Sequence, residues 1–403
     1  MPSRLLALGC GLILTLASGH ECDGQPTAQT TASLREIGVP TRGESQQPGD
    51  IRIAIRPEKP FIEKRYGQQI VNFDAIVKND GQTPYRLVAI KFSVFDSQGQ
   101  LEEQRELNEN GHPPALDMVG ERLLRPGDVI DIFQPFDQFG SAIDLSRIRI
   151  ELFLMRQGHP APPAAFTADE IVSMDVRPRN YSPAAFRLPL HGLLLIHDGH
   201  DFDSHHRRYN LAARYKADPA TAVSANLYAY DFMVTTETGL LFRGDPREKR
   251  NWLSYGTPVF APAKGLILSV VSQIPENTFS TTGDAQSPTH TSVGDPNGFG
   301  NYVTIRHADG RVSWLLHMQP GSVAVTVGEN VRAGQLLGKV GFSGDSLFPH
   351  LHFNVTDAAA YPSQGVPSYF EGYMRVLGSR RVRVAMGQID TGDLIENVKV
   401  ICR

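Results

Sequence analysis

A chain of 403 residues is longer than one hydrophobic core usually organises, so two folded domains are expected. Its 41% hydrophobic and 20% charged residues exclude a disordered class and fit a soluble globular protein. The net charge of −4 excludes a global basic field, so nucleic acid is not an expected partner.

Residues 1–24 read as a signal peptide. Arg4 gives a positive start, Leu5–Leu16 an apolar run broken only by small residues, and Ala17-Ser18-Gly19 a cleavage site. The run is too short to span a membrane, so an exported protein, periplasmic or extracellular and without a membrane span, is expected. Cys10 would leave with the signal. Cys22 and Cys402 would remain at opposite ends of the chain, either bridged in an oxidising compartment or as two unpaired thiols.

Residues 25–49, rich in Gln, Thr, Ser, Gly and Pro, read as a linker. From residue 50 to 180 short alternating or β-branched runs follow one another: Ile51–Ile55, Ile70–Val77, Leu87–Phe95, Val129–Phe133 and Ile148–Leu154. Turn signals such as Asn79-Asp80-Gly81 and Pro126-Gly127-Asp128 separate them, which predicts an antiparallel β-sandwich. Prolines 160, 162, 163, 178 and 183 mark a boundary. A second β-rich block is predicted over 185–385, with strands including Gly265–Val271, Asn301–Arg306, Val312–His317 and Phe348–Val355, and a polar surface loop over 274–297. Residues 386–403 read as a C-terminal tail. The fold class is all-β.

The chemistry concentrates on histidines. In Pro349-His350-Leu351-His352-Phe353, a strand puts His350 and His352 on one face. A bare His-x-His more often faces solvent, so the pair needs company. His317 ends a predicted strand, and Asp231 is a lone acid in the apolar strand Tyr228–Val234, costly to bury unless paired or bound to a cation. With His197, His200, His205 and His206 upstream, the chain has the donors for a three-ligand His₂Asp zinc site with a position open for water.

The run Gly256-Thr257-Pro258-Val259-Phe260-Ala261-Pro262, then Gly300–Gly310, Leu316-His317, Gly334-Gln335-Leu336-Leu337-Gly338 and Pro349–Phe353 resembles the lysostaphin-type (LytM-like) zinc endopeptidases. The resemblance covers roughly Tyr228–Val355. It implies an antiparallel β metallopeptidase domain with a groove across one sheet, a single Zn²⁺, and hydrolysis of peptide stems or cross-links of bacterial peptidoglycan. It places Asp231 and His352 among the zinc ligands and makes His317 and His350 the catalytic histidines. The family's usual first ligand sits in His-x-Gly-x-Asp, a string that His197–Asp201 fits far upstream of the expected strand. A divergent branch instead carries His-Arg-Arg before the Asp strand, which here selects His206, with His205 alongside. His206, His205 and the His197/Asp201 pair therefore stand as alternatives. His307 reads as a hydrogen-bonded structural histidine, His191 and His290 as surface, and Asn301 and Ser343 as turn residues. A catalytically inactive binding or activator module on the same fold is the competing reading. For the N-terminal sandwich, glycan binding, partner docking and covering of the groove are all open, as is the oligomeric state.

Overall fold

The computed structural model describes residues 50–397 except 66, 160–167, 183 and 290–295. The expected signal peptide and linker lie outside the described residues, as do Cys10, Cys22, Cys402, His290 and the prolines 160, 162, 163 and 183. The chain divides into Met1–Gln47 and one compact unit, Pro48–Arg403. That unit is all-β, with only short helical turns between strands, the longest being Ala212–Ala217. No helix of the described residues is long and apolar enough to cross a membrane.

Period-two burial builds the N-terminal part. In the strand Arg147–Arg156, Ile148, Ile150, Leu152 and Leu154 are buried in one core, while Arg147, Arg149 and Glu151 between them are half-buried. This strand pairs antiparallel with Glu170–Val176 on one side and Tyr85–Phe95 on the other, and Leu101–Asn108 extends the sheet. A second antiparallel sheet, Ile51–Arg56, Asp74–Asn79 and Val129–Phe133, supplies Ile55, Val77, Ile130 and Ile132 to the same core. Two sheets closing on shared apolar side chains make the predicted sandwich.

The rest is organised by an eleven-stranded sheet. Its middle runs Leu394–Asn397, Gly192–Asp198, Tyr230–Val234, Leu351–Thr356, Val312–Met318, Asn301–Arg306 and Gly265–Val271, each antiparallel to the next. Leu394–Asn397, beyond residue 385, is thus an interior strand, paired with Ser368–Leu377 as well. Two short pairings are parallel: Arg179–Asn180 with Phe61–Ile62, and Ala184–Phe186 with Ser368–Phe370.

Polar as well as apolar contacts join the two parts. Phe61 packs in the core of the large sheet, its ring 4.5 Å from that of Tyr181. Arg207, 1% exposed, reaches from the second part into the sandwich. Its guanidinium donates to Asp74 Oδ1 (2.6 Å), Asn72 Oδ1 (3.1 Å) and the Phe73 carbonyl (2.9 Å). Nearby, the Leu211 N–H donates to Asp131 Oδ2 at 2.6 Å. Burial, reinforced by the charge of Asp74, pushes the Asp131 carboxyl up to about 8, against the pull of the Leu211 bond and Arg207.

A group whose pKa is raised by folding stabilises the fold fully below its unfolded pKa, and that contribution is lost as pH rises through the folded value. For Asp131 the window runs from 3.8 to about 8. Asp131→Asn is expected to flatten the decline in stability across that window. Denaturant midpoints of both proteins at several pH values measure it, and an unchanged slope in the variant would acquit Asp131.

Candidate metal centre and active-site cavity

Strand alternation aims the site residues. Tyr230 and Phe232 point into the core, with Leu351 and Phe353 of the neighbouring strand, leaving Asp231 and His352 on the opposite face. The antiparallel register sets Asp231 directly beside His352 and, on the adjoining strand, Leu316 beside His352. Such neighbours lie about 5 Å apart at Cβ, so their side chains must meet.

Imidazoles from different elements converge on one carboxylate oxygen. From Asp231 Oδ1, His352 Nδ1 is 3.1 Å away, His350 Nε2 3.3 Å and His206 Nε2 3.5 Å. All four residues are buried. The rings of His206 and His352 stand edge to face at 4.8 Å, and that of His317 lies 4.9 Å from His350 and 5.8 Å from His352. His352 Nε2 and His206 Nδ1 are buried with no hydrogen-bond partner among the described residues. Orphaned buried imidazole nitrogens are costly, and each belongs to a ring whose other nitrogen, His352 Nδ1 or His206 Nε2, faces Asp231. The donor set His206, Asp231 and His352 is two nitrogens and an oxygen, the chemistry that suits zinc.

The electrostatics fit ligand roles, which require neutral imidazole and ionised carboxylate. Burial pushes His206 down to about 3, Asp231 notwithstanding. Burial would raise Asp231, but the charges of His350 and His206 and the hydrogen bonds from His350 and His352 hold it well below the usual carboxylate range. His317 is held well below the usual imidazole range by burial first, then by His350 and His352. Burial also opposes charge on His350, yet Asp231 outweighs it and raises the pKa.

His317 has φ 63°, a left-handed conformation rare for any residue with a side chain. Strain of this kind persists where neighbours fix it. The neighbours are evident: His317 Nδ1 donates to the Ser343 carbonyl at 2.9 Å, and its own carbonyl accepts from Gly341 N–H at 3.0 Å. Gly341 has no alternative, since a Cβ there would lie 2.4 Å from Gln319 N. Ser343 and Asn301 brace the turn, Ser343 Oγ bonding the Met318 carbonyl and Asn301 bonding both Met318 and Ile274. His350 is fixed through Nδ1, which lies 2.8 Å from the Phe348 carbonyl and 3.2 Å from Ser346 Oγ.

Among the alternatives for the first donor, the fold brings His206 to Asp231. His205 is exposed, and its Nδ1 bonds Asp198. His197 faces solvent on the cavity wall, its ring 4.7 Å from Phe348, whereas Asp201 accepts from the Thr391 and Asp203 N–H groups. His200 is buried between Tyr228 and Tyr230, with Nε2 3.4 Å from Glu63 of the sandwich. His307 bonds the Lys264 carbonyl and Ser313 Oγ, a structural role, and His191 packs on Phe260.

Sequence reasoning passed over Asp198. It pairs in register with Asp231, and donor atoms of Asp198, His205, His206 and Asp231 all lie within 4.8 Å of one another. A register shift between Ile196 and Asp198 aims it there, and no spacing rule registers a bulge. This group and the His206, Asp231, His352 set share His206 and Asp231. The second is the better cage, because His205 is exposed and already committed to Asp198.

His206 and Arg207 act as a hinge pin: the imidazole faces the site while the next side chain is locked in the sandwich. Together with His317, His350 and Phe348, the site residues line a cavity of about 540 Å³ that also touches Tyr209, Arg214, Phe299, Leu347 and Tyr361.

Residues 252–363 match peptidase family M23. This chain carries a peptidase M23 domain. The matched stretch holds His317, His350 and His352, while His206 and Asp231 precede it, so it is the fold that brings them to these histidines. Among curated relatives, the DD-carboxypeptidase/endopeptidase Mpg of Neisseria meningitidis serogroup B is 36% identical over 98 residues, 24% of this chain and 17% of that protein. The cell division protein DipM of Caulobacter vibrioides is 30% identical over 112 residues, 28% of this chain and 14% of its own length. The peptidoglycan DD-endopeptidase ShyC of Vibrio cholerae is 43% identical over 54 residues, 13% and 12% respectively. The chain thus spans less than a fifth of the length of the curated relatives it matches.

Removing one member of a buried ion pair costs about 3–5 kcal/mol because the survivor stays buried and unpaired. Asp74→Ala, which strands the Arg207 charge, should lower unfolding free energy by about that amount. Chemical denaturation measures it, and a loss under about 1 kcal/mol would mean that Asn72 and the Phe73 carbonyl suffice for Arg207.

Proposed function

We propose that this chain is an exported zinc endopeptidase that hydrolyses peptide stems or cross-links of bacterial peptidoglycan. The observation that carries the reading is the convergence of His206, His350 and His352 on Asp231 within one cavity that the M23-matched residues help to line. The similarity to a peptidoglycan DD-endopeptidase of Vibrio cholerae supports the substrate class, and that to a DD-carboxypeptidase/endopeptidase of Neisseria meningitidis supports peptide hydrolysis.

His206, Asp231 and His352 would hold the ion. When bound, zinc supplies Lewis acidity toward a carbonyl and lowers the pKa of water. The protein's own groups do the proton work. A carbonyl oxygen can only accept, so His350 and His317 each carry their proton on Nδ1, donated to Phe348 and Ser343. The neutral His317 ring then presents a lone pair at Nε2, and His350 does so once Asp231 is engaged by the ion and no longer accepts from its Nε2. His350, whose Nε2 faces Asp231, is the group that takes a proton from water. His317 is placed to donate to the developing oxyanion, as its sequence position implies, but Nε2 can do so only once the ring has gained a second proton. Burial keeps His317 neutral in the resting site, so this donation follows proton uptake and does not precede it.

Two expectations test the reading on the full chain. Zinc content near one ion per chain should fall sharply in His206→Ala and Asp231→Ala and persist in His205→Ala, read by elemental analysis of the purified proteins. A folded wild type that binds no zinc would leave a binding module on a peptidase fold. His350→Ala should keep its zinc yet release new peptide ends from purified peptidoglycan about 10²–10⁴-fold more slowly. Loss of zinc in that variant would instead make His350 a ligand.

A further inference from the structure

The cavity contains a cation that the proposed chemistry does not use. Arg214, half-buried on the short helix Ala212–Ala217, lines the same space as Asp231 and the histidines. Its guanidinium lies over the rings of Tyr361 and Tyr209, 5.4 Å and 5.7 Å from their centres, and Nη2 donates to the Tyr361 hydroxyl at 2.5 Å. No carboxylate of the described residues lies within ion-pair distance of it, although Asp345 lines the cavity too.

A guanidinium has five N–H donors in a planar fork, more than two phenols satisfy. Stacking on two rings immobilises the fork, so little side-chain entropy remains to be lost on binding. Phe299, Leu347 and Phe348 supply apolar walls, and in such surroundings an Arg–carboxylate contact is stronger than in open water. The volume of about 540 Å³ is in the range that holds a small ligand or a short stretch of peptide. A fixed, unpaired fork beside a hydrolytic centre is a receptor for an anionic group on the substrate, and on a peptide that group is a carboxylate.

We propose that Arg214 binds a free carboxylate of the peptide substrate near the scissile bond, so that the site selects acid stems over their carboxamide forms. The proposal rests on the peptidase reading above. It assigns Arg214 to specificity, with Tyr209 and Tyr361 as the residues that hold it.

The test uses the zinc-loaded full chain and one synthetic cross-linked stem peptide in two forms, free acid and carboxamide. Calorimetric binding is measured on both forms, and cleavage is followed separately. Wild type should bind the acid form about tenfold more tightly, a difference of one bidentate contact partly offset by desolvation. Arg214→Gln should abolish that preference, raising KM for the acid form about tenfold while kcat and both constants for the carboxamide stay within about twofold. Arg214→Lys, which keeps the charge and loses the fork, should fall between. Equal binding of the two forms by wild type overturns the proposal. So does an equal loss on both forms in Arg214→Gln, which would make Arg214 a structural tie to Tyr361. Acid-selective binding without cleavage of either form sinks the peptidase reading and leaves the carboxylate site standing.

Discussion

A carboxylate in the middle of a sheet must be neutralised, and the arrangement around Asp231 follows from that constraint. Its strand is apolar on the core side, so the side chain can go only to the other face, where the register offers His352. A single pair would leave much of the charge unsatisfied. His350 from the strand entry and His206 from a distant loop complete the shell, and each imidazole loses solvent in doing so. The result is an ionised oxygen beside the neutral imidazole of His206, both of which a zinc ligand set requires.

Holding His206 in that shell is a problem of loop entropy, because a segment without regular structure has little reason to present one side chain to one atom. The adjacent Arg207 answers it. Its guanidinium is sealed among Asn72, Phe73 and Asp74, so the backbone at His206 is pinned from the opposite side. Leu211, a few residues on, is tied to Asp131 in the same way. The N-terminal sandwich is therefore part of what shapes the site. The contacts of Phe61 with the second core and of Glu63 with His200 extend the same continuity.

On the other side of the cavity the device is backbone strain. His317 occupies a left-handed conformation that glycine adopts freely and histidine does not. The Ser343 carbonyl, Gly341 and the Asn301 brackets hold it there. Pinned loop, register-aligned sheet and strained turn converge on one space, so the proposed catalytic groups are set before any substrate arrives.

The sequence by itself determined the β class and the sandwich core, and it singled out His317, His350 and His352, which the fold brings to one cavity. Alternation in Arg147–Arg156 and in Leu351–Thr356 is local, and period-two patterning states directly which side chains share a face. The glycines and the Pro349–Phe353 run carried the family resemblance for the same reason, since each is fixed by its own few neighbours. What needed the tertiary structure were the partners. The His206-Arg207-Arg208 pattern favoured His206 with His205 still open, and what turns the His206 ring toward Asp231 is Arg207 finding Asn72 and Asp74 more than 130 residues earlier. Asp198 is aimed by a register shift, and Leu394–Asn397 is a strand because two distant edges accept it. Local periodicity encodes faces, whereas which faces meet is decided by long-range pairing and by the need to satisfy every buried charge.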